Sequence, residues 1–128
     1  MSGPATILLA EDDRILRKAG EATLKKRGYT VIAAVDGEDA LAKAREHRPD
    51  LILLDVIMPK LQGFEVLASL KDDAATRDIP VIMLSNLQDD ADVRRALEGG
   101  ALDYLVKSNV PLEVLAARVA DVLGRGRT

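Results

Sequence analysis

Two acidic stretches in this chain stand where chemistry rather than packing would put them. Asp55 directly follows the apolar run Leu51-Ile52-Leu53-Leu54, and Glu11-Asp12-Asp13 directly follows Thr6-Ile7-Leu8-Leu9-Ala10. Two more apolar runs end in polar groups: Val81-Ile82-Met83-Leu84 in Ser85-Asn86, and Leu102 to Val106 in Lys107. Each has an ordinary structural explanation, since an Asp behind a strand caps a helix or makes a turn and a Lys is readily solvated. The coincidence is what carries weight. Carboxylates about 5 Å apart repel by roughly 3 kcal/mol at an effective dielectric near 20, so Glu11, Asp12 and Asp55 need positive charge beside them. Lys107 supplies one unit and a divalent cation would supply two. An all-oxygen donor set suits Mg²⁺ or Mn²⁺ better than Zn²⁺, and the absence of Cys and the single His47 point the same way.

These groups converge only if the runs that carry them are parallel strands ending on one edge. The runs around 6–10, 51–54 and 81–84 are apolar without alternation, as strands covered on both faces are. Thr30 to Ala34 and Leu102 to Val106 complete a set of five. Between them the pattern turns helical. Asp13 is the expected N-cap of the first helix, with Ile15, Leu16, Ala19, Ala22 and Leu24 on one face and Gly28 as a stop. Asp36 caps a helix through Arg45 with Ala40, Leu41 and Ala44 inward, and a third runs from about Phe64 to Lys71 after the Pro59 to Gly63 loop. Asp89 or Asp90 opens a fourth with Val93, Ala96 and Leu97 inward, closed by Gly99-Gly100. Pro111 starts a fifth with Leu112, Leu115, Val119 and Val122 on one stripe. Strands alternating with helices, joined by short right-handed crossovers, predict a three-layer α/β domain with helices on both faces of a parallel sheet. Ligands of such sheets bind beyond the carboxyl ends of the strands, where the acids, Ser85 and Lys107 would lie.

Bulk properties narrow the classes further. A chain of 128 residues predicts one domain over 1–128, with loose ends at 1–4 and 124–128. With 48% apolar and 30% charged residues the chain is neither disordered nor membrane-spanning, and aromatics at 2% leave an aliphatic core. No signal peptide opens the chain, so the expected location is the cytoplasm. A net charge of −3 leaves no basic footprint for nucleic acid or a membrane surface.

Four segments together resemble the receiver domain of bacterial two-component response regulators: Ile7-Leu8-Leu9-Ala10-Glu11-Asp12-Asp13, Leu53-Leu54-Asp55-Val56-Ile57-Met58-Pro59 with Gly63, Leu84-Ser85, and Gly100-Ala101-Leu102-Asp103-Tyr104-Leu105-Val106-Lys107. They occur in order and at family spacing over nearly the whole chain. The resemblance implies a flavodoxin-like fold, strand order 2-1-3-4-5. It implies that Asp55 is the phosphoacceptor, supplied by a histidine kinase, a phosphotransfer protein or a small phosphodonor. It also implies that Asp12, Asp55 and the backbone carbonyl of Ile57 ligate Mg²⁺, with Glu11 acting through water. Lys107 and Ser85 would hold phosphoryl oxygens, and Tyr104 would be the aromatic switch answering to Ser85. The signalling surface would be the fourth helix, fifth strand and fifth helix, where Asp92, Arg95, Glu98 and Arg118 are expected to be exposed. It would meet a downstream protein or an output domain, as a monomer or a phosphorylation-dependent dimer. Such a protein is a switch rather than a turnover enzyme.

The sequence departs from the family pattern at a few positions. Ser108 follows Lys107 where the family usually has Pro in a cis peptide, and Asn86 stands where a small residue is usual. Ile57 and Leu87 lie two residues beyond the acceptor and beyond Ser85, positions that modulate hydrolysis of the acyl phosphate in the family. Both are apolar, which predicts slow self-dephosphorylation. Competing readings are a phosphate-independent interaction module of the same fold, a dehalogenase-type phosphatase and a nucleotide or flavin binder. The phosphatase would need Asp-x-Asp after the first strand. The nucleotide binder would need a Gly-rich turn there, and the turn here is acidic. The chain stops soon after the fifth helix, so the sequence predicts either a stand-alone receiver or one cut from a longer regulator.

Overall fold

The structure, a computed structural model, describes residues 4–86 and 90–125, apart from the side chains of Asn109 and Arg125. Five strands, β1 (Thr6–Ala10), β2 (Thr30–Ala34), β3 (Leu51–Asp55), β4 (Val81–Ser85) and β5 (Asp103–Val106), alternate with five helices. These are α1 (Arg14–Lys26), α2 (Gly37–His47), α3 (Gly63–Asp72), α4 (Asp90–Glu98) and α5 (Leu112–Arg125). The sheet is wholly parallel in the order β2-β1-β3-β4-β5, as the flavodoxin-like expectation required.

Each central strand is buried on both faces, which is why its sequence does not alternate. Leu8, Ala10, Ile52, Leu54 and Met83 face one aliphatic core with residues of α2, α3 and α4. Ile7, Leu9, Leu51, Leu53 and Ile82 face the other, with residues of α1 and α5. Burying one Leu or Ile contributes about 2 kcal/mol, so β3, with all four of its aliphatic side chains fully buried, is a firm foundation for Asp55.

The ends of the helices follow local chemistry. Asp13 Oδ1 accepts from the Ile15 and Leu16 amides at 2.9 and 3.1 Å, capping α1. Asp36 Oδ1 accepts from the Asp39 amide at 2.8 Å, capping α2. Gly28 and Gly100, past α1 and α4, take φ of +93° and +105°, where a side chain would be strained.

The inward faces of α1 and α4 differ in part from the sequence pattern. On α1, Leu24 is buried and Ala19 half-buried as expected, but Ile15 is 79% exposed, Leu16 and Ala22 are exposed, and Gly20, outside the expected stripe, is buried. The helix approaches β1 so closely that a Cβ on Gly20 would lie 2.9 Å from Leu9 Cδ2. A residue without a side chain thus marks the inner face, which no hydrophobic stripe can signal. On α4, Ala96 is buried and Val93 partly so, but Leu97 is 48% exposed. Of the residues expected to be exposed around α4, β5 and α5, Asp92 is half-buried. Gly124 and Arg125, the first residues of the expected loose end, continue α5, and residues 126–128 lie outside the described ones. A single Gly costs a helix only about 1 kcal/mol, and the burial of Val122 and Leu123 holds that turn. Asp89, as the alternative opener of α4, lies outside the described residues.

Candidate functional site

All five strand ends meet one edge of the sheet, and three of them build the site. Glu11 leaves β1 with its amide still bonded to the Ala34 carbonyl of β2 at 3.1 Å, so the turn starts in sheet geometry. Asp55 is the last residue of β3 and its partner in register is Leu84. Lys107 follows β5 and opens a single 3-10 turn, Lys107–Asn109. No cis peptide occurs among the described residues, so the Lys107–Ser108 turn is made without one.

Lys107 Nζ donates to Asp55 Oδ2 at 2.7 Å and also to Glu11 Oε1. The second oxygen of each acid is held as well: the Asp13 amide donates to Glu11 Oε2 at 3.1 Å and the Ile57 amide to Asp55 Oδ1 at 3.3 Å. Asp12 is exposed, yet one oxygen each of Glu11, Asp12 and Asp55 lie within 4.8 Å of one another. Glu11 and Asp55 are only 4% and 5% exposed. Burial pushes the Asp55 carboxyl up to about 6, the nearby Glu11 charge adds to that, and the Lys107 hydrogen bond pulls against it. Burial acts to lower Lys107, but its bonds to Asp55 and Glu11 prevail and hold it above the usual lysine range.

The acid cluster fits a hard divalent cation. Its donors are all oxygen, Asp12 leaves one side open to water, and one ammonium answers three carboxylates. His47 contributes nothing there, since it ends α2, ahead of the opposite edge of the sheet, and lies 3.8 Å from Glu46.

The remaining expected residues surround this centre. Ser85 ends β4 almost fully buried, and Tyr104 is buried in the core shared with α2, α3 and α4. Asn86 is exposed and Ile57 is 56% exposed, so both stand at the rim of the acid pocket. Leu87 lies outside the described residues. The loop after Asp55 is tightly tied: the Gly63 amide donates to the Val56 carbonyl at 2.8 Å, and the Leu61 and Gly37 amides both donate to Pro59 O, at 2.8 and 3.2 Å. Lys60, inside that three-residue turn, has φ of +70°. A Cβ on Gly63 would strike the Asp55 carbonyl and lie 2.8 Å from Val56 Cα, and one on Gly37 would strike the Leu61 backbone.

Sequence reasoning passed over Arg17. Its Nη1 donates to the carbonyls of Glu11 and Asp12 at 2.9 and 3.2 Å. A cation in the first turn of a helix works against the helix dipole, and that oddity was the available signal.

A doubly wound parallel sheet that gathers an acid pair, a third acid, a buried hydroxyl and an ammonium at one edge defines a receiver-type domain. The profile of the response regulator receiver domain matches residues 7–120, and the chain belongs to that family. Phosphoaspartate, magnesium and two-component signal transduction are characteristic of the family, whose members are regulatory. Among curated relatives, the Transcriptional regulatory protein AfsQ1 of Streptomyces coelicolor is 46% identical over 121 residues, covering 94% of this chain and 52% of that protein. The Gliding motility regulatory protein of Myxococcus xanthus is 45% identical over 113 residues, covering 88% of this chain and 14% of its own length. The chain thus spans about half the length of one and a small part of the other. Among solved structures, the Vibrio cholerae chemotaxis protein CheY4 superposes with a TM-score of 0.87 at 32% identity, covering 94% of this chain and 99% of that one. Among the described residues, no helix is long and apolar enough to cross a membrane.

Proposed function

We propose that this domain is a phosphorylation-activated switch in which Asp55 accepts a phosphoryl group from a histidine kinase, a phosphotransfer protein or a small phosphodonor. The observation that carries this reading is the ion pair between Lys107 and Asp55, 2.7 Å long, beside the Glu11–Asp12–Asp55 cluster. Asp12, Asp55 and the Ile57 carbonyl are the residues that would hold Mg²⁺, with Glu11 acting through water. When bound, Mg²⁺ supplies positive charge to the oxygens of the transferring group.

The chain's own residues do the rest. Asp55 must be ionised to attack, and Lys107 keeps a compensating charge on it in an otherwise buried setting. In the transfer, a carboxylate oxygen of Asp55 forms a bond to phosphorus. The bond from phosphorus to the donor's imidazole nitrogen, or to a small donor's oxygen, breaks, and its electron pair leaves with the donor. Lys107 then exchanges Asp55 Oδ2 for a phosphoryl oxygen, and the Ser85 hydroxyl takes another. Positioned positive charge and donors of this kind stabilise a phosphoryl transition state more than the separated reactants. Movement of Ser85 toward the phosphoryl group biases Tyr104 and α4 between two packings, so the surface of α4, β5 and α5 reports the modification to a downstream protein or output domain.

The test is incubation with acetyl phosphate and Mg²⁺, read by intact mass. Wild type gains one phosphoryl group and Asp55→Ala gains none. Equal labelling of both, or labelling of neither, rejects the reading.

A further inference from the structure

The three acids of the pocket are not held alike. Both oxygens of Glu11 and both of Asp55 accept hydrogen bonds through their side chains. The Asp12 carboxylate has no hydrogen bond or ion pair among the described residues, so its direction depends on the backbone that carries it. That backbone is held at its carbonyls by one group, while the next amide along, that of Asp13, donates to Glu11 Oε2 at 3.1 Å. The Glu11 carbonyl belongs to the peptide plane before the Asp12 Cα and the Asp12 carbonyl to the plane after it. Arg17 Nη1 donates to both, at 2.9 and 3.2 Å. One half-buried guanidinium therefore bridges the two peptide planes that flank Asp12 and restrains their relative orientation.

The neighbouring acids favour a cation there, but Arg17 bonds the Glu11 and Asp12 carbonyls and none of their carboxylates. Arg17 lies in the first turn of α1, where the helix dipole disfavours positive charge, and beside a pocket suited to a second cation. We infer that Arg17 is a positioning residue for the metal site: by clamping the two peptide planes around Asp12 it aims the Asp12 carboxylate into the cluster with Glu11 and Asp55. This rests on the metal reading of the site given above. The two possible effects of Arg17 on a bound cation have opposite signs. Its charge repels the ion, whereas its clamp keeps a ligand aimed. Partners of metal ligands commonly set affinity by tenfold or more, so the clamp is expected to dominate.

The experiment compares wild type with Arg17→Gln, Arg17→Lys and Asp12→Asn. Mn²⁺ binding is read from the free-ion electron paramagnetic resonance signal, and amide hydrogen exchange is read by NMR in EDTA. Arg17→Gln removes the charge, and Arg17→Lys keeps the charge but not the two-carbonyl fork. Both are expected to weaken Mn²⁺ binding roughly tenfold. In the metal-free protein both should speed exchange at the Asp12 and Asp13 amides, the other halves of the clamped planes, while leaving β1 and β3 protected. Tighter or unchanged binding in Arg17→Gln would mean that only charge matters and overturns the inference. Faster exchange spread through β1 and β3 also overturns it, because Arg17 would then merely stabilise the fold. If Asp12→Asn binds Mn²⁺ as tightly as wild type, it is the metal reading that fails, and exchange at Asp12 and Asp13 alone decides whether the clamp exists.

Discussion

Lys107, the residue after β5, and Asp55, the last residue of β3, meet although their strands are not neighbours. β5 and β3 are separated by β4, yet Lys107 Nζ lies 2.7 Å from Asp55 Oδ2 and also bonds Glu11 at the end of β1. Adjacent strands are about 4.8 Å apart, so the lysine spans two strand spacings over the end of β4, where Ser85 lies. One ammonium thus ties three strand ends around an acid that burial would otherwise push toward its neutral form.

That balance makes the stability of the metal-free protein depend on pH in a definite direction. The Asp55 pKa rises from 3.8 to about 6 on folding, mainly through burial, so the folded chain binds this proton more tightly than the unfolded one. The contribution of Asp55 to stability is therefore most favourable below 3.8, declines as pH rises, and levels off above about 6. The full difference corresponds to at most about 3 kcal/mol, reduced by solvent screening at the pocket mouth. Asp55→Asn removes this cost but also loses an ion pair. It is expected to stabilise the protein at neutral pH by about 1–2 kcal/mol and to flatten the profile between pH 4 and 6, as measured by urea unfolding in EDTA. A destabilised Asp55→Asn at neutral pH would contradict the burial account.

Mg²⁺ should act on the same acids. A ligand present at ten times its dissociation constant stabilises the folded state by about 1.4 kcal/mol, so thermal unfolding should shift upward with Mg²⁺. The shift should weaken as pH falls through the Asp55 titration, since a protonated carboxyl is a poor ligand. Asp12→Asn should bind more weakly and show little shift at the same concentration. An equal shift in this variant, followed by calorimetry, would place the ion elsewhere.

The strand ends were legible in the sequence because buried parallel strands are continuous apolar runs, and Glu11, Asp12, Asp55, Ser85 and Lys107 interrupt them at matching places. Caps such as Asp13 and Asp36 were legible for the same local reason. The inner face of α1 was legible only at Leu24, because Gly20 approaches β1 closely and leaves no apolar mark, while Ile15 and Leu16 are apolar and exposed. Arg17 was hidden more thoroughly, since its role depends on two backbone carbonyls and carbonyls have no sequence signature. The collisions awaiting a side chain at Gly37 and Gly63 depend on how the loop after β3 folds back, a tertiary fact.

Gly63 offers a direct check of that loop. A Cβ there meets the Asp55 carbonyl and the Val56 Cα, which are backbone atoms that cannot turn aside as a side chain would. Gly63→Ala should therefore cost about 2–3 kcal/mol despite the better helix propensity of Ala in the first turn of α3. Because the displaced atoms belong to the acceptor strand, the acetyl phosphate reaction should also slow in the fraction that folds. Urea unfolding and single-turnover labelling read the two effects separately. A variant as stable as wild type would show that the loop shifts freely.

Under the proposed function, the lifetime of a phosphorylated Asp55 is expected to turn on Ile57. Its side chain is 56% exposed at the rim of the pocket, two residues beyond Asp55. Hydrolysis of an acyl phosphate requires a water held in line with the phosphorus, and a general base or hydrogen-bonding side chain that orients it accelerates such a step. An isoleucine side chain offers no polar atom to hold such a water. Release of inorganic phosphate from the labelled protein should accordingly take minutes or longer at neutral pH. Ile57→Asn supplies an amide at the same place and should accelerate release by about tenfold, the low end of what a single positioned polar group contributes, while labelling by acetyl phosphate still occurs. A phosphate-release time course on purified phosphoprotein decides the matter: loss within seconds in wild type, or no acceleration in Ile57→Asn, removes Ile57 as the residue that protects the acyl phosphate from water.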